Sequence, residues 1–219
     1  ANPVIKVADL AWLEFDKLDL ARTEAFAHAF GFATALRTDT ELMLRGSDAG
    51  SPCVIVRRGD TSRLRGLAFA AAEQADVSHL ADAVGARVRP LPESVGGIAV
   101  DLADPSGLAV RVVANTHPLE SMPAQSPHTF NFGHIVERTN ATQRPHRAPA
   151  TVQRLGHVVL QTTKYTAALD WYLDHLGLIV SDFLYFPGQR DRGPTMSCIR
   201  CDRGATPTDH HTLAMTLGP

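Results

Sequence analysis

The order of strand and helix patterns repeats along the chain, and this repeat constrains the fold more than any other feature. Residues 9–15 alternate as a strand does, and Asp19 can cap a helix that ends before Gly31. Three short strand patterns follow, separated by turn-forming residues, at 33–37, 41–45 and 53–57. The first unit is therefore predicted to have the order β-α-β-β-β.

A second unit repeats this order directly after the first. Residues 64–71 form a strand pattern, Asp76 can cap a helix, and Gly85 can end it. Further strands are predicted at 87–89, 97–102 and 108–113, the last two joined by a tight turn at 104–107. Two copies of one unit indicate a duplication, and together they predict an N-terminal domain at residues 1–114.

A proline-rich stretch interrupts the repeat and is predicted to be a linker at residues 115–150. It has little hydrophobic periodicity. Its four histidines lack metal-ligand spacing and are predicted to lie at the surface: His117, His128, His134 and His146.

The first unit returns after the linker, with a strand at 153–161, a helix at 164–176 and strands at 178–186 and 195–201. An offset of 145 positions relates Trp12 to His157 and Gly66 to His211. With this offset, residues 209–215 are predicted to be the first strand of a fourth unit, whose remaining strands would extend to about position 260. The expected fold is α+β, with tandem βαβββ modules paired into two open barrel-like domains. The fourth module is truncated, and residues 151–219 form the first part of a C-terminal metal-binding domain.

Composition limits the classes of partner. A chain of 219 residues is long enough for two modest domains, and a net charge of -2 gives no electrostatic basis for binding nucleic acid or an anionic membrane. Three cysteines, two of them in the C-x-x-C of residues 198–201, fit strand cysteines in a reducing compartment. With neither a long apolar run nor a signal pattern, the protein is expected to be cytoplasmic and to bind a small molecule.

Two histidines stand out within strand patterns. His157 is predicted to share a strand face with Leu155 and Val159, and His211 to share one with Leu213, so that both rings enter an apolar interior. Buried imidazoles need partners for their ring nitrogens, and one metal ion could serve both. Backbone carbonyls are the alternative partners, but the matched placement of the two histidines favours a metal.

Two motifs carry a family resemblance: Arg-Leu-Gly-His-Val-Val-Leu at 154–160 and Asp-His-His-Thr-Leu-Ala at 209–214. With them the chain resembles the type I extradiol ring-cleavage dioxygenases of the vicinal oxygen chelate superfamily. The resemblance implies cleavage of a catecholic aromatic, similar to 2,3-dihydroxybiphenyl, with O2 at a mononuclear Fe(II), less often Mn(II). It also implies two histidine ligands, matched by His157 and His211, and one glutamate. The glutamate, the counterpart of Val110, is expected near position 255, beyond Pro219.

The family usually places a further histidine, which assists proton transfer, on the strand before the second ligand. No histidine lies between Leu176 and Asp209, so His210, a residue beyond Pro219 or an altered mechanism must serve. Among these, His210 is the candidate catalytic residue. Strand alternation predicts that Ser197 and Ile199 contact the substrate.

Two other functions stay open. One is a glyoxalase-like metalloisomerase or epimerase, in which a metal polarises a carbonyl group. The other is a non-catalytic protein of the same fold that binds an aromatic compound. A homo-oligomer is expected, since small-molecule enzymes of this layout commonly form symmetric assemblies.

Overall fold

A computed structural model describes residues 2–140 and 147–218 and contains three successive βαβββ modules. Module 1 consists of β1 (Val7–Lys17), α1 (Leu20–Phe30), β2 (Ala33–Arg37), β3 (Glu41–Arg45) and β4 (Val54–Arg58). Module 2 consists of β5 (Arg63–Ala71), α2 (Gln74–Val84), β6 (Val88–Pro90), β7 (Ile98–Ala103) and β8 (Ala109–Ala114). Module 3 consists of β9 (Val158–Thr162), α3 (Tyr165–Leu176), β10 (Leu178–Leu184), β11 (Met196–Cys201) and β12 (Leu213–Leu217).

The strands form two sheets whose order confirms the predicted α+β fold of βαβββ modules. Modules 1 and 2 share an eight-stranded sheet, β2-β3-β4-β1-β5-β8-β7-β6, in which β1 and β5 pair antiparallel. Module 3 forms a four-stranded sheet, β10-β11-β12-β9. In every module the first strand pairs in parallel with the last, because the helix connection carries the chain back to the same end of the sheet.

Strand pairing corrects the predicted position of the strand that follows His211. β12 pairs antiparallel with β11 and in parallel with β9, as β4 does with β3 and β1. It is the last strand of module 3, so the prediction that residues 209–215 begin a fourth module is wrong. The pair Val158 and Leu213 corresponds to the pair Leu13 and Val54, so the offset is 145 positions in the first strand but 159 in the last.

The counterpart of His211 is therefore Pro52 rather than Gly66. The error arose because the connections around β10 and β11 are longer than those around β2 and β3. The relation between Trp12 and His157 is retained.

All three helices end at glycines with left-handed backbone angles, as predicted for Gly31 and Gly85. The Asp19 carboxylate accepts a hydrogen bond from the backbone N–H of Arg22, which confirms the predicted cap of α1. The predicted cap of α2, Asp76, lies inside the helix. Glu73 is the capping residue, and its backbone N–H donates to the Asp76 carboxylate at 3.0 Å.

The described part of the linker forms only isolated bridges, including one between Phe132 and Ile135. His117, His128 and His134 are exposed, as predicted, and His146 lies outside the described residues. The division into domains stays a prediction, because one hydrophobic core is continuous between modules 2 and 3.

An aromatic pair and a buried hydrogen bond join these two modules. The rings of Phe69 in β5 and Tyr172 in α3 pack edge-on, with centroids 6.2 Å apart. The Tyr172 hydroxyl donates to the Asp104 carboxylate at 3.2 Å. Burial, with the nearby Asp104 carboxylate, raises the pKa of Tyr172 well above its usual value, so the hydroxyl stays protonated and can donate.

Replacing Tyr172 with phenylalanine should lower the free energy of unfolding by about 1–3 kcal/mol, because the buried Asp104 carboxylate loses a donor. Urea denaturation measures the change. The matched control is Tyr185→Phe, which removes the hydroxyl of a partly exposed tyrosine. Equal stability of the two variants would contradict the contribution assigned to the Tyr172 hydrogen bond.

Two glycines that end helices have similar φ angles but different surroundings. Substituting each of them therefore distinguishes backbone strain from steric contact. Gly177 has φ +65°, and a Cβ there would lie 2.5 Å from the Ile5 carbonyl oxygen, whereas a Cβ at Gly85, with φ +67°, meets open space. Gly85→Ala should therefore cost only the left-handed backbone penalty, about 1–2 kcal/mol. Gly177→Ala should cost clearly more in the same urea experiment, and a cost no greater than that of Gly85→Ala would refute close packing at Ile5.

Candidate metal centre

One face of the module 3 sheet carries the candidate site, and the other face packs against α3. Val158 and Leu160 of β9 are buried in the core, whereas His157 and Val159 point the other way and are exposed. The strand register aligns Val159, Ala214, Cys198 and Asp182 in one row across the four strands. Paired residues of neighbouring strands share a face, so this row lies on the side of His157.

The predicted burial of the two histidines is wrong. His157 is exposed, and His211 is half-buried and does not join Leu213 in the core. Strand β12 begins only at Leu213, and the residue before it, Thr212, is already buried, with its hydroxyl accepting from the backbone N–H of Cys201 at 3.3 Å. The alternation assumed from the sequence therefore does not extend back to His211.

The structure nevertheless brings the two imidazoles together. The ring centroids of His157 and His211 lie 4.2 Å apart, with an angle of 55° between the rings. The parallel pairing of β9 with β12 produces this proximity, because each histidine lies just before its strand begins.

His210 connects this pair to a carboxylate. Its Nε2 lies 2.6 Å from Asp182 Oδ2, and its Nδ1 lies 3.0 Å from Nδ1 of His211. When neutral His210 donates to Asp182 from Nε2, its Nδ1 can only accept, so His211 must donate from its own Nδ1. The lone pair of His211 Nε2 is then available for a metal ion or a proton. His210 itself uses both ring nitrogens in these contacts, so it can position His211.

Partial burial is the main cause that lowers the pKa of His211, and the neighbouring rings of His157 and His210 lower it further. The neutral form of His211 is thereby favoured, which is the form able to bind a metal or accept a proton.

Cys198 is a neighbour that sequence reasoning missed. The ligand atoms of Cys198, His210 and His211 lie within 4.8 Å of one another, and this is the one group of three such side chains among residues 2–140 and 147–218. Burial raises the pKa of the Cys198 thiol and so disfavours the thiolate that a metal requires. Strand alternation, combined with the correct pairing of β11 and β12, would have predicted that Cys198 lies opposite Ala214.

Ser197 and Ile199, predicted to contact the substrate, are not brought to the histidines. Both are fully buried on the opposite face of β11, and Ile199 belongs to the core that packs against α3. The Ser197 hydroxyl is buried there without a hydrogen-bond partner. The sequence indicated alternation along β11 but not which of its faces would meet the helix.

In the first half of the chain, a buried side chain occupies the position equivalent to His157. Trp12, the counterpart of His157, is fully buried, and its Nε1 donates to Glu14 at 3.0 Å. It packs in a cluster with Met43, Ile55 and Ala68. Trp12 is thus a packing residue at the position where the second half carries His157.

Neither protein-family models nor curated protein sequences match the chain. Solved structures do match it. A Mn(II)-bound glyoxalase from Novosphingobium aromaticivorans aligns over 98% of this chain with 21% identity and a TM-score of 0.71. The 2,3-dioxygenase LapB from Pseudomonas sp. KL28 aligns over 99% with 16% identity and a TM-score of 0.72. Homoprotocatechuate 2,3-dioxygenase from Arthrobacter globiformis aligns over 100% with 19% identity and a TM-score of 0.72.

The chain has the vicinal oxygen chelate fold. It spans 63% of the length of the glyoxalase, 72% of LapB and 62% of the homoprotocatechuate enzyme. At these identities the likeness concerns the fold and not the reaction. None of the helices within the described ranges is long and apolar enough to cross a membrane.

Replacing Asp182 with alanine should change the tautomer of His211, because His210 loses the acceptor that holds its proton on Nε2. Nitrogen-15 NMR of the histidine rings should show His211 protonated at Nδ1 in the unmodified protein and a mixture of tautomers in the variant. Asp191→Ala, which removes an exposed carboxylate away from the histidines, is the control. An unchanged His211 spectrum in Asp182→Ala would refute the orienting role.

Proposed function

We propose that the protein is an extradiol dioxygenase that cleaves a catecholic aromatic with O2 at a mononuclear Fe(II). The observation that carries the proposal is the pair of imidazoles of His157 and His211, with centroids 4.2 Å apart, on the open face of the module 3 sheet. The fold shared with two 2,3-dioxygenases supports it. A homo-oligomer in the cytoplasm remains the expected form of the protein.

The donor set fits part of such a centre. Two neutral imidazoles and a carboxylate are the ligands that oxygen-activating iron uses, and His157 supplies the first of them. With the larger offset of 159, the counterparts of Gly66 and Val110 in a fourth module fall at about positions 225 and 269. We expect the remaining ligands, including the glutamate, at these two positions of a longer chain. When bound, the iron would hold the diol and O2 together and relay electron density between them.

The corrected place of His211 suggests a role other than the ligand role predicted from the sequence. In the resembling family a proton-transfer histidine occupies the strand before the second ligand, and β12 is now that strand. We propose that His211 Nε2 accepts a proton from a substrate hydroxyl while His210 and Asp182 hold the ring in position. His210 is then a positioning residue rather than the catalytic group.

The open face also offers an apolar surface for the aromatic ring. Val159 is 54% exposed beside His157, whereas Ala214, opposite it in the strand register, is fully buried. Val159 therefore replaces Ser197 and Ile199 as the proposed substrate contact.

The test measures iron content and oxygen uptake of the complete protein with a panel of substituted catechols. His157→Ala should lose both bound iron and activity. His211→Ala should keep its iron but lose activity by about 10²–10⁴-fold, the usual contribution of a general base. Loss of iron from His211→Ala would instead make His211 a ligand. No oxygen uptake by the iron-loaded protein across the panel would refute the proposed reaction.

A glyoxalase-like isomerisation is the second candidate, favoured by the fold shared with the Mn(II)-bound glyoxalase. Such a reaction consumes no O2. Turnover of an α-keto thiohemiacetal under strict anaerobiosis would support it over ring cleavage.

A further inference from the structure

The two cysteines of the C-x-x-C sequence lie on opposite faces of β11 and have different surroundings. Cys201 belongs to the core that packs against α3, and its Sγ accepts a hydrogen bond from the Thr212 hydroxyl at 3.5 Å. Cys198 is buried on the other face, directly opposite Asp182 in the strand register. A packing role accounts for Cys201, whereas the thiol of Cys198 lies on the face that carries the histidines.

Cys198 forms a cluster of possible metal ligands with His210 and His211. Its Sγ atom and one ring nitrogen of each histidine all lie within 4.8 Å of one another. Two ligand atoms on one tetrahedral zinc ion lie about 3.3–3.6 Å apart, because the bonds to nitrogen and sulfur are about 2.0–2.3 Å long. Rotation of the exposed His210 side chain can close the remaining difference.

The nitrogens of the two histidines already face each other. Nδ1 of His210 and Nδ1 of His211 lie 3.0 Å apart and share one proton when no metal is bound. A cation between them replaces this proton and binds both lone pairs. The Asp182 carboxylate, 2.6 Å from Nε2 of His210, accepts the proton of that nitrogen. A carboxylate behind a ligating histidine is common at zinc sites.

The thiol is the ligand that selects the ion. Burial raises the pKa of the Cys198 thiol, so the sulfur carries a proton in the free protein. Coordination to a divalent cation removes that proton. A thiolate with two imidazoles is a typical zinc ligand set, whereas oxygen-activating iron uses imidazoles with a carboxylate. The donor types of this cluster therefore favour zinc over iron.

We propose that Cys198, His210 and His211 form a zinc site that is separate from the iron ligand His157. Three protein ligands leave the fourth tetrahedral position to a water molecule. The ion reaches the cluster from the side of His210, whose side chain is 56% exposed. On binding, the Cys198 thiol proton is released and the His211 proton moves through solvent from Nδ1 to Nε2, so each zinc ion displaces one proton.

Zinc at this site removes the base assigned to His211, a consequence that rests on the proposed function. With the ion on Nδ1, the Nε2 atom of His211 carries a proton and cannot accept another from a substrate hydroxyl. Oxygen uptake should therefore fall as zinc is added while the iron content stays constant. Uptake that continues with zinc bound would overturn this consequence.

Cobalt(II) is the spectroscopic probe for the site, because it takes the tetrahedral ligand sets of zinc and absorbs light. The complete protein, stripped of metal by a chelator, is titrated with cobalt in the absence of oxygen. The unmodified protein should develop a near-ultraviolet charge-transfer band from thiolate to cobalt. Zinc, which binds more tightly than cobalt, should abolish this band. Cys198→Ser should not develop it.

Cys201→Ser is the matched control, since it removes a buried thiol of the same strand that faces the core, and it should keep the band. Cys53→Ser in module 1 repeats this control, and circular dichroism checks the folding of each variant. His157→Ala should also keep the band. Asp182→Ala should weaken cobalt binding by about 10–100-fold, the usual effect of losing the carboxylate behind a ligating histidine, whereas Asp191→Ala should not.

Absence of the charge-transfer band from the unmodified protein, or its persistence in Cys198→Ser, would overturn the proposal. Loss of the band in His157→Ala would also overturn it, because the thiol would then belong to the iron centre. The cobalt measurement requires no catalysis. A protein that is inactive toward catechols but shows the band would therefore keep this proposal while losing the proposed reaction.

Discussion

Parallel pairing of β9 with β12 is the interaction on which the candidate site depends. It sets the last strand of module 3 beside the first and places the residues before each strand next to one another. His157 and His211 meet for that reason and not because both enter a common core. Any change that shifted this register by one residue would turn alternate side chains to the opposite face and separate the site from its supporting carboxylate.

Local patterns predicted most elements well, because helix ends and short strands carry their own signals. Glycine ended each helix where expected, and β2 and β3 agree with the predicted bounds. The last strand of module 3 was misassigned, since a constant offset assumes constant loop lengths. The buried face of β9 and β11 could not be predicted either, because it is decided by where α3 packs, a contact between distant parts of the chain.

The same backbone position serves two purposes in the two halves of the chain. In module 1 this position holds Trp12, which is fully buried among side chains of the eight-stranded sheet and donates a hydrogen bond to Glu14. In module 3 it is occupied by His157 on a four-stranded sheet with an open face. The two halves therefore use one duplicated scaffold in different ways. The residue at this position packs in a core in module 1 and lies in the candidate site in module 3.

The hydrogen bond from Val4 to Asp174 also concerns the order in which the protein can fold. About 170 residues separate its partners, so Val4 can form this bond only after α3 has been synthesised. At about 5–20 residues per second, the ribosome needs roughly 10–30 s to make that stretch. During that time β1 can pair with β4 and β5, but the Val4 N–H lacks its acceptor in α3, so this bond forms only after that helix has been synthesised.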